Sequence, residues 1–585
     1  MDNEKRIFLA ILLSIIVLYL YQVLFLPPAQ KRRTSPAPPQ QPPAAVVAEQ
    51  PAPPLPAPDI APADTHTAQP GIDRDITVAG TLFEARFSAS AAGPRSFQLC
   101  RYYEAIEPPA LIRIIKKTFG SAVQPNPRAN KSKEVLPLLP GQASVFRTLF
   151  VGSDAVVHGD GMWETAGSDI RLAPSAPAAD LIFSQNDPAG IRLIKKYTFR
   201  EGQYKIDCEL TVSNTGTGPL TGSPVFVWTA PVPSINGGGM FSGPAAPIEF
   251  AYHINGNVAK KDVTKIKEPI TIEGDILWAA IEEKYFTAAV LPVTERPAQI
   301  RLMRHGANGV AYQMAYAGVT LQPGQSRSYQ FSLYCGPKDI DILRQQGAEL
   351  EKAVVFGWFD VIARPLLVSL KFFHRYLGNY GLAIILVTII IKILFWPLTH
   401  KSFSAMKEMQ KLQPELALLK EKYKDNKEEF ARQQLALYKK YKVNPLSGCL
   451  PTLIQIPVFI ALYNALMYSI ELRHAPFISF WINDLSAKDP TYIAPLVMGL
   501  SMFIQQKMTP TTADPAQAKM MLFMPVIFTI MFLNFPSGLV IYWLVNNLIS
   551  IAQQVYINRK LAETGGTPVC TPSKLKQNPS KKRLR

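Results

Sequence analysis

The chain has 585 residues, 51 of them proline, and a formal net charge of +17. That length is too great for one hydrophobic core, and the basic balance points to nucleic acid, anionic lipid or an acidic partner. Cysteines stand at 100, 208, 335, 449 and 570, with neither C-x-x-C nor zinc-ligand spacing, which argues against a structural zinc site. The first three fall in a segment read below as exported; one pair there could oxidise, but the odd thiol argues against a disulfide framework. No Walker A, H-E-x-x-H, G-x-S-x-G or G-x-G-x-x-G sequence occurs, so neither an ATPase nor a metalloprotease is expected. No catalytic residue, metal ligand or cofactor site is predicted.

Residues 1–26 contain an almost unbroken apolar run from Ile7 to Leu26, behind Lys5 and Arg6. Twenty helical residues span about 30 Å, one hydrocarbon core, and no A-x-A site follows closely, so the run reads as an uncleaved anchor rather than a signal peptide. Residues 27–70 carry 14 prolines and read as an extended linker. From 71 to 345 the pattern changes: "DITVAGTLFEARFSA", "IRLIKKYTFREGQYKIDCELTVSNTG" and "SRSYQFSLYCG" alternate polar and apolar residues, predicting antiparallel strands in a large sandwich. Asn236 to Gly239 could form an anion nest, but no helical pattern follows and an ordinary loop is the better reading.

The segment 350–378 includes "VFGWFDVIARPLLVSLKFFHRYLG". Its charged residues, Asp360, Arg364, Lys371, His374 and Arg375, fall on one narrow helical stripe, predicting a helix lying in a membrane interface with a kink or break at Pro365. Five apolar runs follow, near 380–398, 450–470, 491–508, 519–535 and 537–556, within a core of 379–560. Between the first two, 399–449 carries 11 Lys/Arg, against two in 471–490. That asymmetry puts 399–449, both termini and the basic tail 561–585 in the cytoplasm, and residues 27 to about 378 outside; Lys31, Arg32 and Arg33 run against it. Within 399–449, Met409, Leu412, Leu416, Leu419 and Tyr423, then Phe430, Gln434, Leu437 and Tyr441, predict a helical hairpin with a coiled-coil seam. Its charged outer face is either simply solvated or a docking site for ribosome or targeting factors.

Polar residues interrupt the apolar runs: Thr388, Lys392, Gln455, Asn464, Gln505, Gln506, Asn546 and Asn547. Each amide alone could be an interhelical hydrogen bond; together they suggest a wet cavity. A cation inside a spanning helix costs about 2.5–3.5 kcal/mol on insertion scales. Lys392 either snorkels to headgroups or faces a water-filled cleft open to the cytoplasm.

The stretches "KVNPLSGCLPTLIQIPVFIALYNAL", "ELRHAPFISFWINDLSAKDPTYIAPLVMG", "QQKMTPTTADPAQAKMMLFMPVIFTIMFLNFPSGLVIYWLVNNL" and "LQPELALLKEKYKDNKEEF" closely resemble the YidC membrane protein insertase family, densely over about 350–560. The anchor, linker and large outer domain look like its two-membrane bacterial form, whose outer domain is a β-supersandwich. The resemblance implies five core helices; with the anchor, the expected fold is an α-helical polytopic membrane protein of six transmembrane helices with a large all-β periplasmic sandwich and a cytoplasmic helical hairpin. It implies a hydrophilic groove closed to the outside but open to cytoplasm and lipid, in which Lys392 occupies the place where the family usually has arginine. Thr388, Gln455, Gln506 and Trp543 align with groove positions, with Tyr542 beside them; the family often has tyrosine where Trp543 stands. Met498, Met502, Met524 and Met531 would offer an adaptable sliding surface. The implied function is insertion and folding of nascent membrane proteins in the inner membrane, alone or with the Sec translocon. The partners would be the lipid bilayer and, through hairpin and tail, the ribosome or signal recognition particle system. Two other classes remain: an ion-coupled transporter using Lys392, and a glycan-binding receptor.

Overall fold

A computed structural model describes residues 74–118, 126–153, 156–232, 248–424, 426–441, 450–509 and 515–563. The anchor expected over 1–26, the linker over 27–70, the loop Asn236–Gly239 and the tail beyond 563 lie outside those residues.

Alternation of apolar and polar residues builds the first half of the described chain. Strand Lys205–Asn214 buries every second side chain, as a two-residue period with one face on a core requires. Twenty strands between Asp75 and Pro337 form sheets of five, eight and seven strands, where the sequence suggested simply a large sandwich. Aromatic side chains join them. Phe226 of the seven-stranded sheet meets Phe331 of the eight-stranded sheet with ring centroids 4.4 Å apart. Phe87 of the five-stranded sheet meets Tyr197 of the eight-stranded sheet at 4.9 Å. One short helix, α1 (Ala110–Thr118), stands apart from the strands. Cys100, Cys208 and Cys335 are all free thiols, which corrects the suggestion that a pair oxidises. Cys208 and Cys335 lie on strands paired in register, but Cys208 faces Phe331 and Cys335 faces Ala288.

Lys195 is an exception in this domain. It is fully buried, donates from Nζ to the Ala92 carbonyl at 2.8 Å and lies 4.7 Å from the Trp163 ring centroid. Burial holds its pKa down, to about 7. A depressed value means that the unfolded chain binds the proton more tightly. The associated stability is therefore present above the ordinary lysine value and lost as pH falls through about 7. Tyr197 Oη donates to the same carbonyl at 2.9 Å, so Lys195→Met leaves that acceptor satisfied. We expect the variant to be more stable than the parent by about 1 kcal/mol near neutral pH. Its urea midpoint should lack the rise that the parent shows from about pH 7 to about pH 10; equal slopes in the two proteins would contradict this.

The second half is helical. α2 (Ile340–Gln346) is capped by Asp339, whose carboxylate accepts from the N–H groups of Asp341 and Ile342 at 2.8 and 3.2 Å. α3 (Asp360–Leu377) exposes Val361, Val368, Phe372 and Tyr376, while Arg364 pairs with Asp360 at 2.6 Å. It runs unbroken through Pro365, so of the expected kink or break the break does not occur: a proline this near the start of a helix forfeits one backbone hydrogen bond without ending it. The apolar run expected over 380–398 is two helices, α4 (Tyr380–Leu394) and α5 (Trp396–Lys411), bent by 62°. Pro397 starts the second, a position where its missing N–H costs nothing.

α6 (Gln413–Lys422) and α7 (Lys427–Lys440) pack through Leu416, Leu437 and Tyr438 together with Met409 and Leu412. Tyr441 Oη donates to Glu415 Oε1 at 2.7 Å. Then come α8 (Leu450–Tyr468), α9 (Ile493–Met508), α10 (Pro515–Phe532) and α11 (Ser537–Glu563). Among the described residues, Ser537–Arg559 within α11 is by itself long and apolar enough to cross a membrane, and the bent pair of α4 and α5 passes the same measure jointly. Gln455–Tyr468 and Met521–Phe532 are shorter apolar helices.

The turn between α8 and α9 docks on the β domain. Arg473 donates to the carbonyls of Tyr103 and Glu104 at 2.5 and 3.2 Å and lies over the Phe286 ring. Asn483 Nδ2 donates to the Glu107 carbonyl at 2.6 Å. Nearby, Lys371 Nζ on α3 stands 2.5 Å from Asp341, 3.0 Å from Glu471 and 3.6 Å from Asp339. Asp489 is fully buried and accepts from the N–H groups of Thr491 and Ala494 at 2.9 and 2.8 Å, which fixes the start of α9.

Candidate functional site

Along α11 the residues Trp543, Asn546, Asn547, Ser550, Gln553 and Gln554 recur at spacings of three and four, so they share one helical face. Asn547, Ser550, Gln553 and Gln554 are buried. Thr388 and Lys392, four apart on α4, are buried as well. The two faces meet: Lys392 Nζ donates to Ser550 Oγ at 2.8 Å, and Ser550 Oγ donates to the Asn546 carbonyl at 2.8 Å. From α9, Ser501 Oγ accepts from Asn547 Nδ2 at 3.0 Å and donates to the Met498 carbonyl at 2.6 Å. Gln554 Nε2 donates to the Met508 carbonyl at 2.5 Å. These helices are otherwise apolar, so the seam is a polar strip between hydrocarbon-like walls.

Much of that strip has no protein partner among the described residues. Trp543 Nε1, Asn546 Oδ1, both amide atoms of Gln553 and Gln554 Oε1 are buried without one. Each unsatisfied buried polar group costs about 1–3 kcal/mol, so several on one face require water or a polar guest. Lys392 has a hydroxyl beside it and is 9% exposed. The strip thus sets a lysine amine beside buried amide groups that call for polar company.

The predicted residues divide into groups. Lys392 joins the seam. Thr388 lies one turn from it and donates to its own helix, to the Ile384 carbonyl at 2.6 Å. Gln455 and Tyr542 form a second point, with Gln455 Nε2 donating to Tyr542 Oη. Trp543 sits among aromatics, 4.8 Å from Phe459 and 5.3 Å from Phe532 between ring centroids. Gln506 is half-buried near the end of α9. Asn464 is not part of the seam, because its Nδ2 donates to the Phe356 carbonyl at 2.7 Å and ties α8 to the segment before α3. The methionines do not make one surface. Met524 and Met531 are exposed and Met502 is half-buried, but Met498 is fully buried in the helical core. The inward face of α9 is fixed by Gly499, where a Cβ would collide with the Thr529 hydroxyl of α10, so Met498 beside it cannot serve a sliding surface in this arrangement. Ser501, Ser550, Gln553 and Gln554 were not singled out from the sequence; for the three on α11, their three-four spacing with Asn546 and Asn547 was the available signal.

A family model described as 60Kd inner membrane protein matches residues 372–564, and one described as YidC periplasmic domain matches residues 129–369. The membrane protein insertase YidC of Geotalea daltonii is 42% identical over 561 residues, covering 95% of this chain and 99% of its own. That of Citrifermentans bemidjiense is 40% identical over 571 residues, covering 96% and 100%. A solved structure of an active YidC insertase with its first transmembrane domain resolved is 18% identical and covers 85% of this chain and 93% of that one, at a TM-score of 0.33. The full-length sequence relatives, rather than that overlay, carry the assignment. An inner-membrane match joined to a periplasmic-domain match, with 40% identity from end to end, means that this chain belongs to the YidC membrane protein insertase family.

Proposed function

We infer that this chain inserts membrane proteins by receiving their polar segments in the seam between α4, α9 and α11. One observation carries the reading: a buried lysine amine and a row of unsatisfied amides occupy one strip among apolar helices. A translocating hydrophilic segment must pass hydrocarbon before its apolar neighbour settles in lipid, and a hydrated strip shortens the dry part of that path. Lys392 attracts acidic residues of the client, Thr388, Gln455, Gln506, Tyr542 and Trp543 line its way, and exposed Met524 and Met531 meet its apolar helix. Partition of that helix into lipid drives the step, so no nucleotide is needed at the site.

In this reading six helices span the inner membrane: the N-terminal run, α4, α8, α9, α10 and α11. α3 lies in the outer interface, the β domain is periplasmic, and α6 and α7 form a cytoplasmic hairpin. The hairpin and tail suit contact with ribosome or signal recognition particle, and the chain works alone or beside the Sec translocon as insertase and folding chaperone. The transporter reading has less support, since the partner of Lys392 is a serine hydroxyl rather than a carboxylate. A glycan receptor would leave the polar strip without use.

Depletion of the protein should abolish insertion of a short membrane protein with an acidic outer tail, and the full chain should restore it. A stably expressed deletion of most of 71–345 should restore it nearly as well. Normal insertion under depletion would overturn the reading.

A further inference from the structure

The helix α1 has an unusual position. It lies in the β-rich half, ahead of residue 129, where the periplasmic-domain match begins. None of its residues is buried, and its apolar side chains join no core cluster among the described residues. At about 3.6 residues per turn, Leu111, Ile112, Ile114 and Ile115 fall on one half of the helix and Arg113, Lys116 and Lys117 on the other, with no acidic residue. Ile114 is 54% exposed. Such a helix is stable against something that takes apolar contact below and negative charge at the sides.

Its placement indicates what that is. The Leu111 N–H donates to the Phe480 carbonyl at 3.0 Å, and the Asn483 amide holds the Glu107 carbonyl just before the helix. Both partners belong to the turn between α8 and α9, which leaves and re-enters the membrane region. On that turn Ile478 and Phe480 are themselves exposed, as is Ile114 on α1, while Leu111, Ile112 and Ile115 are half-buried, so hydrogen-bonded neighbouring segments both carry exposed apolar side chains beside the helical core. We propose that α1 lies on the periplasmic leaflet of the membrane, with its isoleucines in the headgroup–acyl boundary and Arg113, Lys116 and Lys117 on anionic lipid headgroups. The long cationic side chains can reach sideways to phosphate while their stems stay against lipid. The helix thereby sets the height of the β domain over the bilayer. The proposal rests on the membrane reading of α4 and α8 to α11.

The test uses the full chain in nanodiscs of phosphatidylcholine, with or without phosphatidylglycerol, containing shallow spin-labelled lipid. An environment-sensitive fluorescent amino acid replaces Ile114, Ile393 on α4 or Ile182 on a β strand, one at a time. We expect Ile393 to be quenched in both lipids and Ile182 in neither. Ile114 should be quenched, and about twofold more strongly with the anionic lipid. The triple variant Arg113→Glu, Lys116→Glu, Lys117→Glu should lose that increment while Ile393 is unchanged, and high salt should remove it from the parent protein. Quenching at Ile114 that ignores lipid charge overturns the proposal. So does its absence while Ile393 is quenched, which would leave the face to a protein partner. An unquenched Ile393 would instead remove the membrane reading itself.

Discussion

Lys392→Ala is expected to reduce insertion of a client with an acidic translocated tail about tenfold, whereas Lys392→Arg stays within about twofold of the parent. Two unit charges about 4 Å apart attract by about 4 kcal/mol at an effective dielectric of 20, and by about 1 kcal/mol in water. A hydrated strip lies nearer the second figure, and about 1.4 kcal/mol is a factor of ten. The geometry separates a charge effect from a packing effect. Removing the ammonium leaves Ser550 Oγ the bond it donates to the Asn546 carbonyl, and in a hydrated strip water can replace the donor its lone pair loses. Arginine remains charged in any environment and can reach the same hydroxyl. A client with a neutral tail is therefore the control: it should insert into vesicles carrying Lys392→Ala nearly as well as into parent vesicles. Equal losses for acidic and neutral tails would make Lys392 a structural residue and remove the electrostatic part of the mechanism.

The sequence showed those features that are periodic over short distances. Strand Lys205–Asn214 announces its buried face by alternation, and Leu416 and Leu437 announce theirs by heptad spacing. The bend between α4 and α5 was hidden, because the run stays apolar across it and Pro397 is as compatible with a helix start as with a kink. Lys392 was conspicuous as a charge in an apolar run. Ser550 was not, since its role arises from a contact across 158 residues. Asn464 looked like its polar neighbours but serves the Phe356 carbonyl. Met498 and Met524 look alike in sequence, yet one faces the core and the other does not. In a helix apolar all round, composition does not say which side is inward; the close approach at Gly499 does.

Lys371 carries the second large effect, on stability rather than transport. Its ammonium lies among Asp339 and Asp341, at the end of the β domain, and Glu471, in the turn after α8. One cation thus joins three segments that otherwise bring three carboxylates together. Burial works against the charged lysine, but Glu471 and then the two aspartates outweigh it, and the lysine holds its proton well above the ordinary range. A raised value means stability fully present below the ordinary lysine pKa, so the latch stays charged throughout neutral pH. Burial raises Glu471 against the pull of Lys371, so that carboxyl stabilises the fold most when protonated and loses this contribution as pH rises through its raised pKa. Lys371→Met would leave Glu471, 9% exposed, ionised without its cation beside two more anions. Breaking a buried pair in this way costs about 3–5 kcal/mol, and partial solvation here brings the expectation to about 2–3 kcal/mol near pH 8. The deficit should shrink as pH falls through the raised Glu471 pKa and that carboxyl takes up a proton. Adding Glu471→Gln to Lys371→Met should recover at least half of it, since the stranded charge is gone. Urea unfolding of the full chain measures the loss, and hydrogen exchange in α2 and the Glu471 turn locates it. A Lys371→Met protein as stable as its parent at about pH 8 would mean that the three carboxylates are solvated well enough to need no latch.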